Sequence, residues 1–287
     1  MKKILTTTLL LSSTFSNILF AETLPNVNNE IENVKTNCTG IKANLDTIFG
    51  LSTATAISSG IGTITATGAL AVGIIKNKKD YKLDELTLKN NPAEFEKNFN
   101  ELVDDIKASM KKTSNTLGNI RTGLMAGTTA TSAISTGTSI GSAISADKLA
   151  KKMENCNISL QSLQIAKNAI EAEENFDKSS VQNANSILSI CKEYDKENIK
   201  QLKNMMTTSA VVSAIGTGVS GTGTITSAMA NKEKNKEKAK KLDTASNILA
   251  GVAIGTSGTS TTLSAISIQK AKKDSEMATE CEKKLNE

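Results

Sequence analysis

The chain has 287 residues, enough for one or two domains, but with 3% aromatics and no tryptophan its core must be built from aliphatic and small side chains. The complete lack of histidine removes the commonest general base, the commonest metal ligand and any Ser-His-Asp set. The net charge of +5, to which Lys2 and Lys3 of the N-terminal leader contribute, is too mild for a nucleic-acid binder.

The N-terminus, MKKILTTTLLLSSTFSNILFA, has a basic start, an apolar run from Ile4 and a small residue at Ala21. Residues 1–21 therefore read as a bacterial signal peptide, although Leu19-Phe20-Ala21 matches the A-x-A cleavage pattern poorly and an uncleaved anchor is the alternative. Export to the periplasm, the envelope membrane or the medium would place Cys38, Cys156, Cys191 and Cys281 in an oxidising compartment.

Four windows then dominate the chain: 47–75, 122–146, 204–231 and 244–269. None of the 34 basic and 29 acidic side chains falls inside them, whereas all but two of the 18 glycines do. Lysine-rich stretches follow each window, as in ANKEKNKEKAKK. GSAISADKLAKK, ending at Lys152, matches LSAISIQKAKK, ending at Lys273, and windows one and three align more weakly, so the order reads as a duplicated hairpin.

Ahead of the first window, Val27, Ile31, Val34, Cys38, Ile41, Leu45 and Ile48 step alternately by four and three, the spacing of a coiled-coil seam. The same step continues through Ser52, Thr55, Ser59, Gly62, Ala66, Ala69 and Gly73, all small. Analogous seams run through Leu202, Met205, Ser209, Val212, Gly216, Val219 and Gly223, and through Leu249, Val252, Thr256, Thr259, Leu263 and Ile266. Prolines occur only at positions 25 and 92, so nothing breaks these helices. Glycine in a helix costs about 0.8–1 kcal/mol against alanine. Close approach of helix backbones must offset that cost, and the expected contact glycines are Gly62, Gly73, Gly123, Gly127, Gly137, Gly141, Gly216, Gly223, Gly251 and Gly255, several spaced as Gly-x-x-x-Gly. The rival is β-structure, since Thr, Ile and Gly alternate in GIGTITATG and GTGTITSA, but the windows exceed ordinary strand lengths.

Between the windows, Asn91-Pro92-Ala93-Glu94 opens an amphipathic helix whose apolar face is Phe95, Phe99, Leu102, Ile106 and Met110. Counted from the window midpoints, all four cysteines fall near one end of an antiparallel bundle. Level alone permits three pairings; duplication favours Cys38–Cys156 and Cys191–Cys281. The expected fold is all-α: two tandem antiparallel long-helix hairpins forming an up-down-up-down four-helix bundle with Gly/Ser/Thr/Ala-rich contacts. The expected divisions are a first hairpin over 22–156 with an insert at 91–112, a connector over 157–190 and a second hairpin over 191–287.

No catalytic, cofactor or metal site is expected. Gly216, Gly218 and Gly221 spell G-x-G-x-x-G, but without the strand–turn–helix context that a dinucleotide loop needs. The windows would extend about 38–44 Å as helices, longer than the ~30 Å hydrocarbon core of a bilayer. The first holds ten Leu, Ile, Val or Phe and the second only Leu124, Ile134, Ile140 and Ile144, so hydrophobicity is marginal. The expected function is an exported, non-enzymatic helical protein that contacts membrane lipid or another copy of itself through the charge-free segments, in a scaffold, assembly or pore-like role. A soluble periplasmic or surface spacer is the alternative.

Overall fold

A computed structural model describes residues 26–88, 96–173 and 177–287, with side chains from 79–107 and at 109–110 left aside. The leader and the Asn91–Phe95 helix start lie outside the described residues, as do the side chains of the 91–112 insert's apolar face. Among the described residues six helices follow in chain order: α1 (Val27–Cys38), α2 (Ile41–Leu88), α3 (Glu96–Glu171), α4 (Lys178–Ile190), α5 (Lys196–Lys232) and α6 (Lys236–Leu285). Among the described residues there is no strand, so the alternating Thr-Ile-Gly stretches are helical. α3 passes uninterrupted through Cys156, so the boundary between first hairpin and connector falls inside a helix.

Local chemistry explains where the helices start. Asn26, Asp177, Asp195 and Asn235 each accept a hydrogen bond from the backbone N–H two residues on, the usual N-cap arrangement. α2 is capped in trans: Glu282 of α6 accepts from the N–H groups of Gly40 and Lys42, at 2.9 and 3.0 Å. Gly40 has φ +84°, a left-handed conformation that separates α1 from α2 and that glycine tolerates best.

The molecule is all-helical, with its helices packed against one another. α2 packs against α3 and α6, α5 packs against α3 and α6, and α1 lies mainly on α3. Hydroxyl pairs give the sense of each contact. Thr55 meets Thr138 while Thr65 meets Thr128, and Thr136 meets Thr217 while Thr129 meets Thr224. The number rises on one helix as it falls on the other, so α2 with α3, and α3 with α5, run antiparallel. Ser209 with Ser264 and Ser213 with Ser260 show the same for α5 and α6.

At one end the interior is ordinary. Val34, Ile41, Leu45, Leu149, Met153, Leu163, Ile187 and Leu202 share one apolar cluster with all four cysteines. Cys38–Cys156 and Cys191–Cys281 are each at disulfide distance, the pairing that duplication favours. The segment between α4 and α5 is pinned by Asn157 of α3: its side-chain amide donates to the Tyr194 carbonyl and its oxygen accepts from the Tyr194 N–H, both at 2.8 Å. This satisfies a buried backbone pair that no helix would serve.

The seams need correction. In α2 the expected positions from Ser52 to Gly73 are all buried, and the step runs on to Lys76. In α5, Leu202, Ser209, Gly216 and Gly223 are buried, but Met206, Ser213 and Ser220 replace Met205, Val212 and Val219. In α6 the whole seam moves by one residue, to Ala250, Ala253, Ser257, Ser260, Ser264 and Ser267 in place of Leu249, Val252, Thr256, Thr259, Leu263 and Ile266. The reason is volume. Helices this close leave room at their common axis for Ser, Ala and Gly, so the branched aliphatic residues move to the flanks and the outer surface.

Burial pushes the Asp274 carboxyl above its ordinary value of 3.8; Lys273 and Lys270 oppose this and Asp195 adds to it. A carboxyl raised on folding contributes its full stability below pH 3.8 and loses it as pH rises through the elevated native value. Asp274→Asn is expected to raise the thermal midpoint at about pH 7 and to leave it unchanged at about pH 3. Thermal unfolding at the two pH values checks this, and an equal shift at both would contradict it.

Candidate functional site: a charge-free belt with a hydroxyl interior

The four windows lie side by side. Their inner surface is built from hydroxyls, which the seam places at every second or third contact. Ser213 sits at the middle, 2.7 Å from the Ser260 hydroxyl, 3.2 Å from Ser135 and 3.3 Å from Ser139. Ser139 also reaches Ser209 at 3.4 Å and donates to Thr55 at 3.4 Å, and Ser59 meets Thr261 at 2.9 Å. The α2, α3, α5 and α6 hydroxyls thus bond across every adjacent helix pair. A cavity of about 10 Å³ lies among Ser59, Ser132, Ser135, Ser213, Ser257 and Ser260. The Ser132 hydroxyl faces no hydrogen-bond partner.

The outer surface has the opposite character. Among the described residues, all but three of the exposed large apolar side chains lie in the windows, the exceptions being Ile120, Ile158 and Ile165. Ile64 is 73% exposed, and Ile225 and Ile248 are each 63% exposed. Exposed threonines turn their hydroxyls inward along their own helix. Thr67, Thr222, Thr259 and Thr262 each donate to the carbonyl four residues back, at 2.8 to 3.0 Å. Such a hydroxyl needs no water.

Charge returns at both edges of the belt. At the disulfide end, Lys203 and then Lys151 hold the Asp147 carboxyl below its ordinary value through hydrogen bonds. At the other end, which we call the tip, is a cluster that the sequence reading missed. Arg121 of α3 is fully buried and donates to Asp243 Oδ1 at 2.7 Å, to the Asp243 carbonyl at 3.0 Å and to Asn247 Oδ1 at 2.7 Å. Lys76 of α2 pairs with the other oxygen of Asp243. Nearby, Asn231 donates to Thr122 at 3.0 Å. A signal was present: the α2 step continued past Gly73 lands on Lys76, and the α6 step traced back from Ser246 lands on Asp243.

The ten expected contact glycines divide sharply. Gly62 faces Thr131 and Ser257, Gly73 faces Arg121 and Asn247, Gly216 faces Thr256 and Gly223 faces Met125, each too close for a side chain without a shift. An added Cβ at Gly141 would lie 3.3 Å from Leu51, and one at Gly127 would reach Thr65 only at 3.9 Å. Gly123, Gly137, Gly251 and Gly255 are a correction: nothing lies within 4 Å of a Cβ added there, and they face outward. The reason is phase. The α3 seam uses Arg121, Met125 and Thr128, and the α6 seam uses Ala250, Ala253 and Ser257, which turns those glycines away from the neighbouring helices. Gly216, Gly218 and Gly221 lie within unbroken α5, where their N–H groups serve the helix and are not free to hold a phosphate.

No family model matches the chain, and neither a curated protein nor a solved structure resembles it.

Asp243→Asn leaves the fully buried Arg121 guanidinium facing a neutral amide and is expected to destabilise the fold by about 3–5 kcal/mol, measured by denaturant titration. The glycine division is checked by a pair of substitutions. Gly216→Leu collides with Thr256 and lowers stability, whereas Gly137→Ala enters open space and raises it by roughly 0.8–1 kcal/mol through helix propensity. Equal effects would contradict the assignment of faces.

Proposed function

We propose that this chain is an exported, non-enzymatic protein whose four long helices form an up-down-up-down bundle seated in a membrane, in a scaffold, assembly or pore-like role. One observation carries this reading: across the belt the polarity is inverted, with Ser, Thr, Ala and Gly predominating inside and isoleucines, Val211, Val252, Phe49 and Met229 exposed outside. Full burial of a large apolar side chain contributes about 1.5–3 kcal/mol in water, and side chains left 40–73% exposed forgo a large part of it. In lipid the arrangement is favourable, because small residues let helices pack and interhelical hydroxyl bonds replace water.

Three further features support it. The stretch Val27–Lys78 is long and apolar enough to cross a bilayer, and only 33% of its most apolar window is buried, unlike the core helix of a soluble protein. The other three windows have lower average hydropathy because their serines and threonines weigh on the mean, yet many of those hydroxyls face inward. The two cysteine pairs at disulfide distance suit an oxidising compartment. The outward glycines fit self-association through the same belt, since they cost helix stability without serving a contact inside the chain.

A soluble spacer is the second reading, favoured by the apolar-cored disulfide end, whose outer surface carries charges of both signs. Alkaline carbonate extraction of the mature protein, with dye leakage from added liposomes, separates the two. The membrane reading expects retention in the pellet and release of dye. Complete release of the protein with intact liposomes would sink it.

A further inference from the structure

The two edges of the belt differ in charge. Residues 232–241, the turn between α5 and α6, hold six lysines against Glu233 and Glu237. All six lysines are exposed. Lys241 pairs with Glu237 at 2.7 Å, but the side chains are 75% and 77% exposed, so the pair leaves the local excess of positive charge in place. At the opposite edge, residues 270–287 hold five lysines against five acids.

Directly beneath that turn is an apolar collar. The Lys76–Asp243–Arg121 cluster and the Asn231–Thr122 bond bring α2, α3, α5 and α6 to one level. Within about two helical turns of that level, Ile74, Ile75, Ile120, Ile225, Met229 and Ile248 are all 46–63% exposed. Each of the four long helices contributes to the collar. Exposed lysines beyond a ring of exposed aliphatic side chains match an anionic bilayer in depth: ammonium groups at the phosphates, apolar side chains just below.

We propose that the tip edge of the belt, past which α2 and α3 continue, is the one that lies at a headgroup layer and that it selects bilayers containing anionic phospholipid, through the lysines of 232–241 and the collar below them. This rests on the membrane reading above and adds the end, the lipid class and the residues. Charge complementarity identifies the occupant, since an uncharged bilayer would satisfy the collar alone and leave the lysine excess unused.

The test uses the mature, disulfide-bonded chain in vesicle flotation. One set of vesicles is phosphatidylcholine alone, and the other contains about 30 mol% phosphatidylglycerol. Parent protein is expected to prefer the anionic vesicles, and that preference is expected to shrink when protein and vesicles are mixed at about 0.5 M rather than about 0.05 M salt. Lys232→Gln, Lys234→Gln, Lys238→Gln and Lys240→Gln combined should weaken that partitioning by roughly tenfold or more. Lys148→Gln, Lys192→Gln, Lys200→Gln and Lys283→Gln combined make the same change in net charge at the disulfide end and should leave partitioning intact. These eight lysines are all exposed, so both variants are expected to keep the parent's circular dichroism. Equal loss in both variants, or no loss in either, overturns the tip assignment. Equal binding to both vesicle types overturns it too while leaving the membrane reading standing. Binding to neither type overturns the membrane reading itself.

Discussion

The close approach of four helices through serine, alanine and glycine is the constraint on which everything else in this molecule depends. Residues of that size leave no room for leucine or isoleucine at the common axis. Apart from Met125, which is housed against Gly223, most of the large apolar side chains that the same helices carry in the belt therefore lie on the flanks or outside. Hydroxyls left inside need partners, and they find them across the helix contacts, as Ser213 does with Ser135, Ser139 and Ser260. Packing, hydrogen bonding and outer-surface polarity in the belt are thus one decision rather than three.

The disulfide end is organised by the opposite logic. There the same seam carries Val34, Ile41, Leu45, Leu149 and Met153, the helices are held by ordinary apolar burial, and charged residues return to the outer surface. Two cysteine pairs and the Asn157–Tyr194 backbone pair tie its short segments to the long helices. The tip has a third solution, a buried carboxylate shared by Lys76 and Arg121. A continuous heptad passes through all three regions, and only the residue type at the seam changes.

Several elements of this arrangement are legible in the chain itself. The seam could be followed residue by residue from Val27 to Gly73 because large apolar residues mark its start and its step carries across the break at Gly40 between α1 and α2. The level of the cysteines followed from counting along straight helices. The α6 seam was displaced by one residue because, in a window rich in both Ser and Ile, a search for the largest residues finds the flank. The Gly-x-x-x-Gly spacing misled for a related reason: Gly251 and Gly255 both turn outward, as do Gly123 and Gly137 of the other two pairs, because the spacing describes a face but does not say which way that face turns.

By itself the sequence determined that the chain is helical, that four stretches exclude charge and that the cysteines share one end, because these depend on periodicity and composition along a single helix. Only the tertiary structure decided which face of each window is inside, which glycines touch a neighbour and that Lys76, Arg121 and Asp243 meet. Those outcomes depend on the distance between helices. That distance is set jointly by the small residues of all four, and no single segment carries it.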